Sequence, residues 1–317
     1  MKKNLFLLGL LVCSMATMAQ TTETANKPES WYFKLGGSYF NQTASTEFPT
    51  VGGNAALDRT YVGGKLVSEK SVTGSFGQGF RTGITAGYRF STRIGVELGV
   101  NYYTSNDKKM AQTTSDLPIT PTGVYSFKSV GQITAFDVAP AIVMFLGESH
   151  GFEPYTKVGI LVPIHGDLEI TSDAYAPIAF TPQGAPAAFG NVHSVDKVKP
   201  NPTLGFTAAI GTTYKLTTHL SAFAELEYRN FTVHGDTKET TEFTVNGQDA
   251  LATRTTAQIH TNYQDHLDVN SNNALFNPNT ATPDQRDTTR PNDAMDELSS
   301  YVGISGLGLT LGIKYSL

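Results

Sequence analysis

Residues 306–317 alternate without a break. Leu307, Leu309, Leu311, Ile313, Tyr315 and Leu317 fall on one side, and Gly306, Gly308, Thr310, Gly312, Lys314 and Ser316 on the other. Successive side chains of an extended chain point to opposite faces, so this stretch predicts a strand with one apolar face and one polar face. The same period recurs in seven further segments, near 31–41, 78–91, 93–105, 132–147, 151–164, 203–215 and 218–232. In the third of the eight, Ile94, Val96, Leu98, Val100 and Tyr102 oppose Gly95, Glu97, Gly99 and Asn101. Each segment runs to roughly ten to sixteen residues, whereas soluble strands average about five or six. A tilted strand needs about nine to eleven residues to cross hydrocarbon, and these lengths supply that with some to spare.

The ends and the connections of these segments agree with a membrane setting. Aromatic residues sit near segment ends, among them Trp31, Tyr39, Phe80, Tyr88, Phe90, Tyr102, Phe152, Tyr214, Tyr228 and Tyr315, where a membrane barrel carries its interfacial girdles. Three links are very short, at 91–93, 147–151 and 216–217, and they alternate with long ones near 42–77, 106–131, 165–202 and 233–304. Short turns at one end and long loops at the other are the pattern of a transmembrane antiparallel up-and-down β-barrel of about eight strands, all-β, with periplasmic turns and extracellular loops. Eleven of the fifteen prolines lie in the long links, where a missing N–H costs little. Pro140 and Pro163 fall inside predicted strands, and β-bulges are expected there. Two hairpins are expected to prolong the barrel above the membrane, at 59–68 around Gly63-Gly64 and at 241–252 around Asn246-Gly247.

Residues 1–19 read as a secretory signal. Lys2 and Lys3 precede an apolar run at 5–12, small residues follow to Ala19, and cleavage is expected before Gln20. The apolar run is too short to span a bilayer as a helix. A lipoprotein signal acylated at Cys13 fits less well, because Val12 stands where a small residue is needed. Residues 20–317 are then one barrel domain. Cys13 is the single cysteine of the chain, so the processed protein can form neither a disulfide framework nor a thiolate metal site. Without Lys2 and Lys3 the charge moves from 23 − 28 = −5 to 21 − 28 = −7, which argues against a nucleic-acid partner. No segment after the signal holds eighteen consecutive apolar residues, so no transmembrane helix is expected.

If the apolar faces meet lipid, the opposite faces fill the lumen and their charges can be named. Lys34, Arg81, Arg89, Lys157, Lys215, Arg229 and Lys314 are the cations; Glu97, Asp137, Glu153, Glu225 and Glu227 are the anions. An eight-stranded barrel is just wide enough for side chains to fill. Two readings follow: a salt-bridge plug that fixes packing, or a narrow polar conduit in which inward glycines such as Gly36, Gly83, Gly87 and Gly308 leave room for water.

With these features in hand, the chain resembles the OmpA/OmpX-type family of eight-stranded outer-membrane β-barrels, often described as porin-family proteins. The resemblance extends through the whole of 20–317. Its sharpest element is the end of the chain, where Leu309, Leu311, Ile313, Tyr315 and Leu317 resemble the signal read by the barrel-assembly machinery. The family commonly ends on an aromatic residue; here Tyr315 stands two positions before Leu317. The resemblance implies a cell outer membrane location, outer-membrane lipid and the assembly machinery as partners, no cofactor, and a monomer.

Catalytic and metal chemistry has few footholds. His219-Leu220-Ser221 resembles the His-x-Ser arrangement of lipid A deacylases, but it lies at a periplasmic turn, away from outer-leaflet lipid. His193-Ser194 has no strand context. The last long link carries eleven acidic residues against four basic ones, and within it Asp265, His266 and Asp268, or Asp293, Asp296 and Glu297, match no recognised calcium-loop spacing. A non-enzymatic barrel with no metal is expected, a scaffold whose loops meet extracellular partners. A narrow porin-like channel for small solutes and an accessory of a secretion machine are the alternatives.

Overall fold

The computed structural model describes residues 30–317 apart from 52, 120–122, 181–185 and 274–289. The signal expected at 1–19 and its cleavage before Gln20 lie outside the described residues. Among the described residues the regular structure is β apart from a one-turn helix, Thr256–Ile259, and a 3-10 turn, Leu251–Thr253. No described helix is long and apolar enough to cross a bilayer, a criterion that says nothing about strands.

Eight long strands carry the architecture: β1 (Ser30–Gln42), β2 (Gly79–Arg89), β3 (Ile94–Ser105), β4 (Val124–Phe145), β5 (Phe152–Phe180), β6 (Gly205–Lys215), β7 (Leu220–Asn230) and β8 (Gly306–Ser316). Each pairs antiparallel with the next in the chain. β8 then pairs back onto β1, from Tyr32 opposite Ser316 to Gln42 opposite Gly306, so the ladder closes on itself. A closed ladder leaves no row of unpaired N–H and C=O groups, the condition for placing strands in a medium without water.

The turns that join β2 to β3, β4 to β5 and β6 to β7 are tight. Ser91 Oγ accepts the Ile94 N–H at 2.9 Å, and Thr217 Oγ1 accepts the Leu220 N–H at 3.1 Å. In the β4–β5 turn the chain reverses through His150 at φ 52° and Gly151 at φ 84°. Pro163 stands beside a register shift in which Ile164 is the extra residue, because Pro163 faces Asp137 while His165 faces Phe136. Pro140 does not make the bulge expected of it: it faces Leu98 in an unbroken β3–β4 ladder. Pro154, a third proline within a strand, faces Thr212 on β6.

On the other side of the ring, stretches expected as loops are largely strand. The main sheet of the described residues holds seventeen strands, so nine (17 − 8) lie outside the ring. Lys108–Ile119 pairs with the first half of β4, Pro186–Pro202 with nearly the last half of β5, and Thr232–Val245 with Pro186–Pro202. These segments escaped the period-two reading for a physical reason. Sequences such as KKMAQTTSDLPI have no continuous apolar face, so no period of two runs through them. Both hairpins expected above the membrane are present. Gly63 and Gly64, at φ +60° and +73°, turn Leu57–Val62 into Lys65–Ser71; Asn246 and Gly247, at φ 51° and 77°, turn Thr232–Val245 into Gln248–Asp249. Positive φ at both central positions is what the tight hairpin turn requires.

Candidate functional site

The ring sorts its side chains by parity. Leu35, Ile84, Leu98, Val158, Phe206, Leu226 and Leu311 are exposed on its outer face, with Ile142 at 63% and Leu311 at 57%. Exposed large apolar side chains in a continuous belt mark a surface that meets something other than water. The belt is bounded by ring pairs: Trp31 with Tyr88 and Phe152 with Tyr214 at the end of the short turns, centroids 5.0 and 4.6 Å apart, and Tyr39 with Phe80 and Tyr102 with Phe136 at the other, 4.8 and 4.9 Å apart. From Trp31 to Tyr39 is eight residues, about 26 Å of strand and about 20 Å of height at the usual barrel tilt.

The inner face is charged, buried and paired in tiers. Nearest the short turns, Arg89 Nη1 donates to Glu153 Oε1 at 2.6 Å, and Lys314 Nζ lies 3.9 Å from the other Glu153 oxygen. Above it, two ammonium groups and two carboxylates alternate. Lys34 Nζ is 2.6 Å from Glu97 and 3.0 Å from Glu225, and Lys157 Nζ is 2.8 Å from Glu225 and 3.5 Å from Glu97. The Tyr155 hydroxyl donates to Glu225 at 2.7 Å and that of Tyr32 to Glu97 at 3.1 Å. Next, Arg81 grips both oxygens of Glu227 at 2.6 and 2.5 Å, Thr207 donates to Glu227 at 2.9 Å, and Arg81 also reaches Ser38 and Thr310. Last, Arg229 pairs with Asp137, which also accepts the Asn101 amide at 2.7 Å.

A charge taken out of water is tolerated when it is paired and hydrogen-bonded, and every charge in these tiers is paired, although Glu97 Oε2, 3.5 Å from Lys157 Nζ, and Arg229 Nε are buried without a hydrogen bond. Aromatic rings complete them: Arg89 lies over Phe145 at 4.0 Å, and Lys314 over Tyr32 and Lys34 over Tyr155 at 4.4 Å each. Between the Lys34 and Arg81 tiers lies a cavity of about 40 Å³. At some of the inward glycines the room is taken by a ring. A Cβ added to Gly87 would lie 2.2 Å from Tyr32, and one added to Gly308 would lie 2.6 Å from Phe40.

Of the twelve charges assigned to the lumen from sequence, the structure brings eleven into these tiers. Lys215 is the exception. It is exposed where β6 runs out into the turn toward Leu220, at a rim where water solvates its ammonium. Asn101, Thr207 and Thr310, which share the polar faces read from sequence, belong to the network too, and so do Tyr32, Ser38 and Tyr155, which were missed although each has the same parity as a charged neighbour on its own strand. Leu309, Leu311, Ile313, Tyr315 and Leu317 all lie exposed on the outer face at the chain end. His219 donates through Nδ1 to the Ser316 carbonyl at 2.9 Å, and no hydrogen bond joins it to Ser221 among the described residues. No three His, Cys, Asp or Glu side chains among the described residues are grouped to hold a metal.

A second interior element was not foreseen. Beyond the Arg229–Asp137 tier the interior turns apolar, with Phe76, Met110 and Leu161 fully buried and Tyr103, Ile133, Leu168, Val198, Val233 and Val302 packed in the same cluster. The link between β1 and β2 contributes to it through Phe48, Val51, Val72 and Phe76, so that this link folds inward over the barrel mouth. Tyr103 secures it with a hydrogen bond to the Phe76 carbonyl at 2.6 Å. The residues involved are scattered along the chain with no common period, which is why no local pattern announces them.

A closed ladder of antiparallel strands, greasy outside and ion-paired inside, defines a membrane-spanning β-barrel. The chain belongs to the outer membrane protein beta-barrel domain family, whose profile matches residues 5–264, and the protein is located in the outer membrane. Among solved structures, the outer membrane protein OprG from Pseudomonas aeruginosa is similar at 11% identity and a TM-score of 0.40, with 92% of this chain and 97% of that chain covered. A major outer membrane protein from Thermus thermophilus is similar at 12% identity and a TM-score of 0.37, over 91% of this chain and 99% of that one. No curated protein matches the chain.

Proposed function

We propose that the closed ring of eight strands is the part that crosses the outer membrane, with its short turns in the periplasm, and that the protein is a non-enzymatic monomeric scaffold presenting the outer strands and hairpins to the cell exterior. The observation that carries this reading is the blocked interior. Four tiers of paired charge fill the ring, and the apolar cluster built partly by the β1–β2 link lies over them. A barrel obstructed in this way moves no solute, which leaves the exposed outer sheet as its working surface. The apolar outer face of β8, from Leu309 to Leu317, serves in this reading as the signal taken up by the barrel-assembly machinery.

A second reading is a narrow channel for small solutes, favoured by the cavity of about 40 Å³, whose polar lining can hold a few waters. Planar-bilayer recording of the refolded protein separates the two. The scaffold reading predicts no reproducible unitary openings; stable openings of fixed size would establish the channel instead.

A further inference from the structure

Outside the membrane belt, on the outer side of the apolar cluster, lies a cavity of about 380 Å³, within the range of about 300–1,000 Å³ that holds small organic ligands. It dwarfs the space of about 40 Å³ left in the ring. Its floor is apolar: Leu168 and Ile170 from β5, Val198 from Pro186–Pro202, Val233 from Thr232–Val245, and Val302. These are the outer surfaces of the cluster that closes the lumen, so the cavity is blind toward the ring.

The carboxylates and ammonium on its wall, Asp196, Glu297 and Lys238, are unequal in sign. Lys238 and Glu297 face each other at 4.0 Å, at the outer limit of an ion pair. Asp196 is a second carboxylate; it accepts one hydrogen bond, from Thr240 at 2.5 Å. His234 is engaged through Nδ1 with Ser299 at 3.1 Å. Tyr263 is packed against the apolar cluster, and its hydroxyl has no hydrogen-bond partner among the described residues. Burial, then the negative charge of Glu297 and of Asp196, raises its phenol well above the ordinary range, so the hydroxyl stays protonated. A cavity with a greasy floor, one carboxylate in excess over its cation, and a neutral phenol without a partner is complementary to a definite ligand chemistry.

We propose that this cavity binds a small amphipathic molecule with an apolar or aromatic body and a protonated amine head, the body on the Leu168, Val198 and Val302 floor and the head between Asp196, Glu297 and Tyr263. The site makes the barrel a receptor for such a compound. It rests on the reading of the lumen as closed, since an open floor would make the cavity a vestibule.

The test uses refolded full-length barrel in lipid nanodiscs and two fluorinated probes sharing one ring system, 5-fluorotryptamine and 5-fluoroindole-3-propionate, followed by ¹⁹F NMR. The expected result is a saturable shift for the amine, at least about tenfold tighter than for the acid, the ratio one well-placed charge contact supplies. Asp196→Asn should weaken the amine several-fold and leave the acid unaltered or tighter. Val198→Trp, which fills the cavity, should abolish both, with heat-modifiable gel migration confirming that the barrel is folded. Where that variant fails to fold, Asp196→Asn and Tyr263→Phe decide. No saturable shift, equal affinity for both probes, or an amine affinity indifferent to Asp196→Asn overturns the proposal. Bilayer recording of the same samples keeps the two ideas apart: lost binding with silent traces removes the ligand site alone, whereas openings remove the closed lumen beneath it.

Discussion

At the scale of single residues, the interior is a set of pairs whose members depend on one another more than the fold depends on the pair. Arg81 and Glu227 illustrate it: both are buried, joined by two hydrogen bonds of 2.6 and 2.5 Å, and surrounded by Ser38, Thr207 and Thr310. Removing one partner strands a charge with no water to receive it. We expect Arg81→Met or Glu227→Leu alone to destabilise the refolded barrel by about 3–5 kcal/mol, whereas the double variant recovers most of that loss. Equilibrium urea unfolding in micelles measures all three; additive losses would mean that the pair is solvated and the lumen wet. These residues were readable in the sequence because parity alone decides whether a side chain points in. Who pairs with whom was not readable. The height of each residue depends on the stagger between neighbouring strands, and only the ladder fixes it, as when Glu225 on β7 falls level with Thr310 on β8. The rings of Tyr32 and Tyr155 were passed over because an aromatic residue near a strand end has two good destinations, the girdle and the lumen.

At the scale of elements, the eight ring strands were legible to within a few residues where lipid demands an apolar face, and illegible where it does not. β8 was expected at 305–317 and is found at Gly306–Ser316; β5 was expected to stop near 164 and continues to Phe180. The extra part of β5, together with Pro186–Pro202 and Thr232–Val245, is held by backbone ladder between two faces of mixed polarity. The same logic gives a prediction for β8. Leu311 is 57% exposed, so in a water-facing strand its replacement by arginine would be nearly neutral. Facing hydrocarbon midway along a membrane strand, Leu311→Arg should cost about 2–4 kcal/mol. Unfolding midpoints of Leu311→Arg and of the parent protein in phospholipid vesicles decide; equal stability would place that face in water.

At the scale of the whole molecule, the protein meets two solvents in three storeys. On the proposed reading the ring is built for lipid outside and ion pairs inside, the apolar cluster separates the ring from the exterior, and the outer strands stand in water around a blind cavity. The middle storey is the part least visible from sequence, because Phe48, Phe76, Met110, Ile133 and Val302 come together only through the long links. The most direct test of the whole is a nitroxide scan. The single native cysteine, Cys13, lies within the expected signal, so cysteines placed one at a time at 307, 309, 310, 311, 313 and 314, leaving Gly308 and Gly312 where a Cβ has no room, give a clean background. Relaxation by dissolved oxygen, which concentrates in lipid, and by a water-soluble nickel chelate is then read at each position. High oxygen and low nickel contact are predicted at 307, 309, 311 and 313, with both low at 310 and 314. Nickel contact at the odd positions, or no alternation at all, would contradict a lipid-facing barrel.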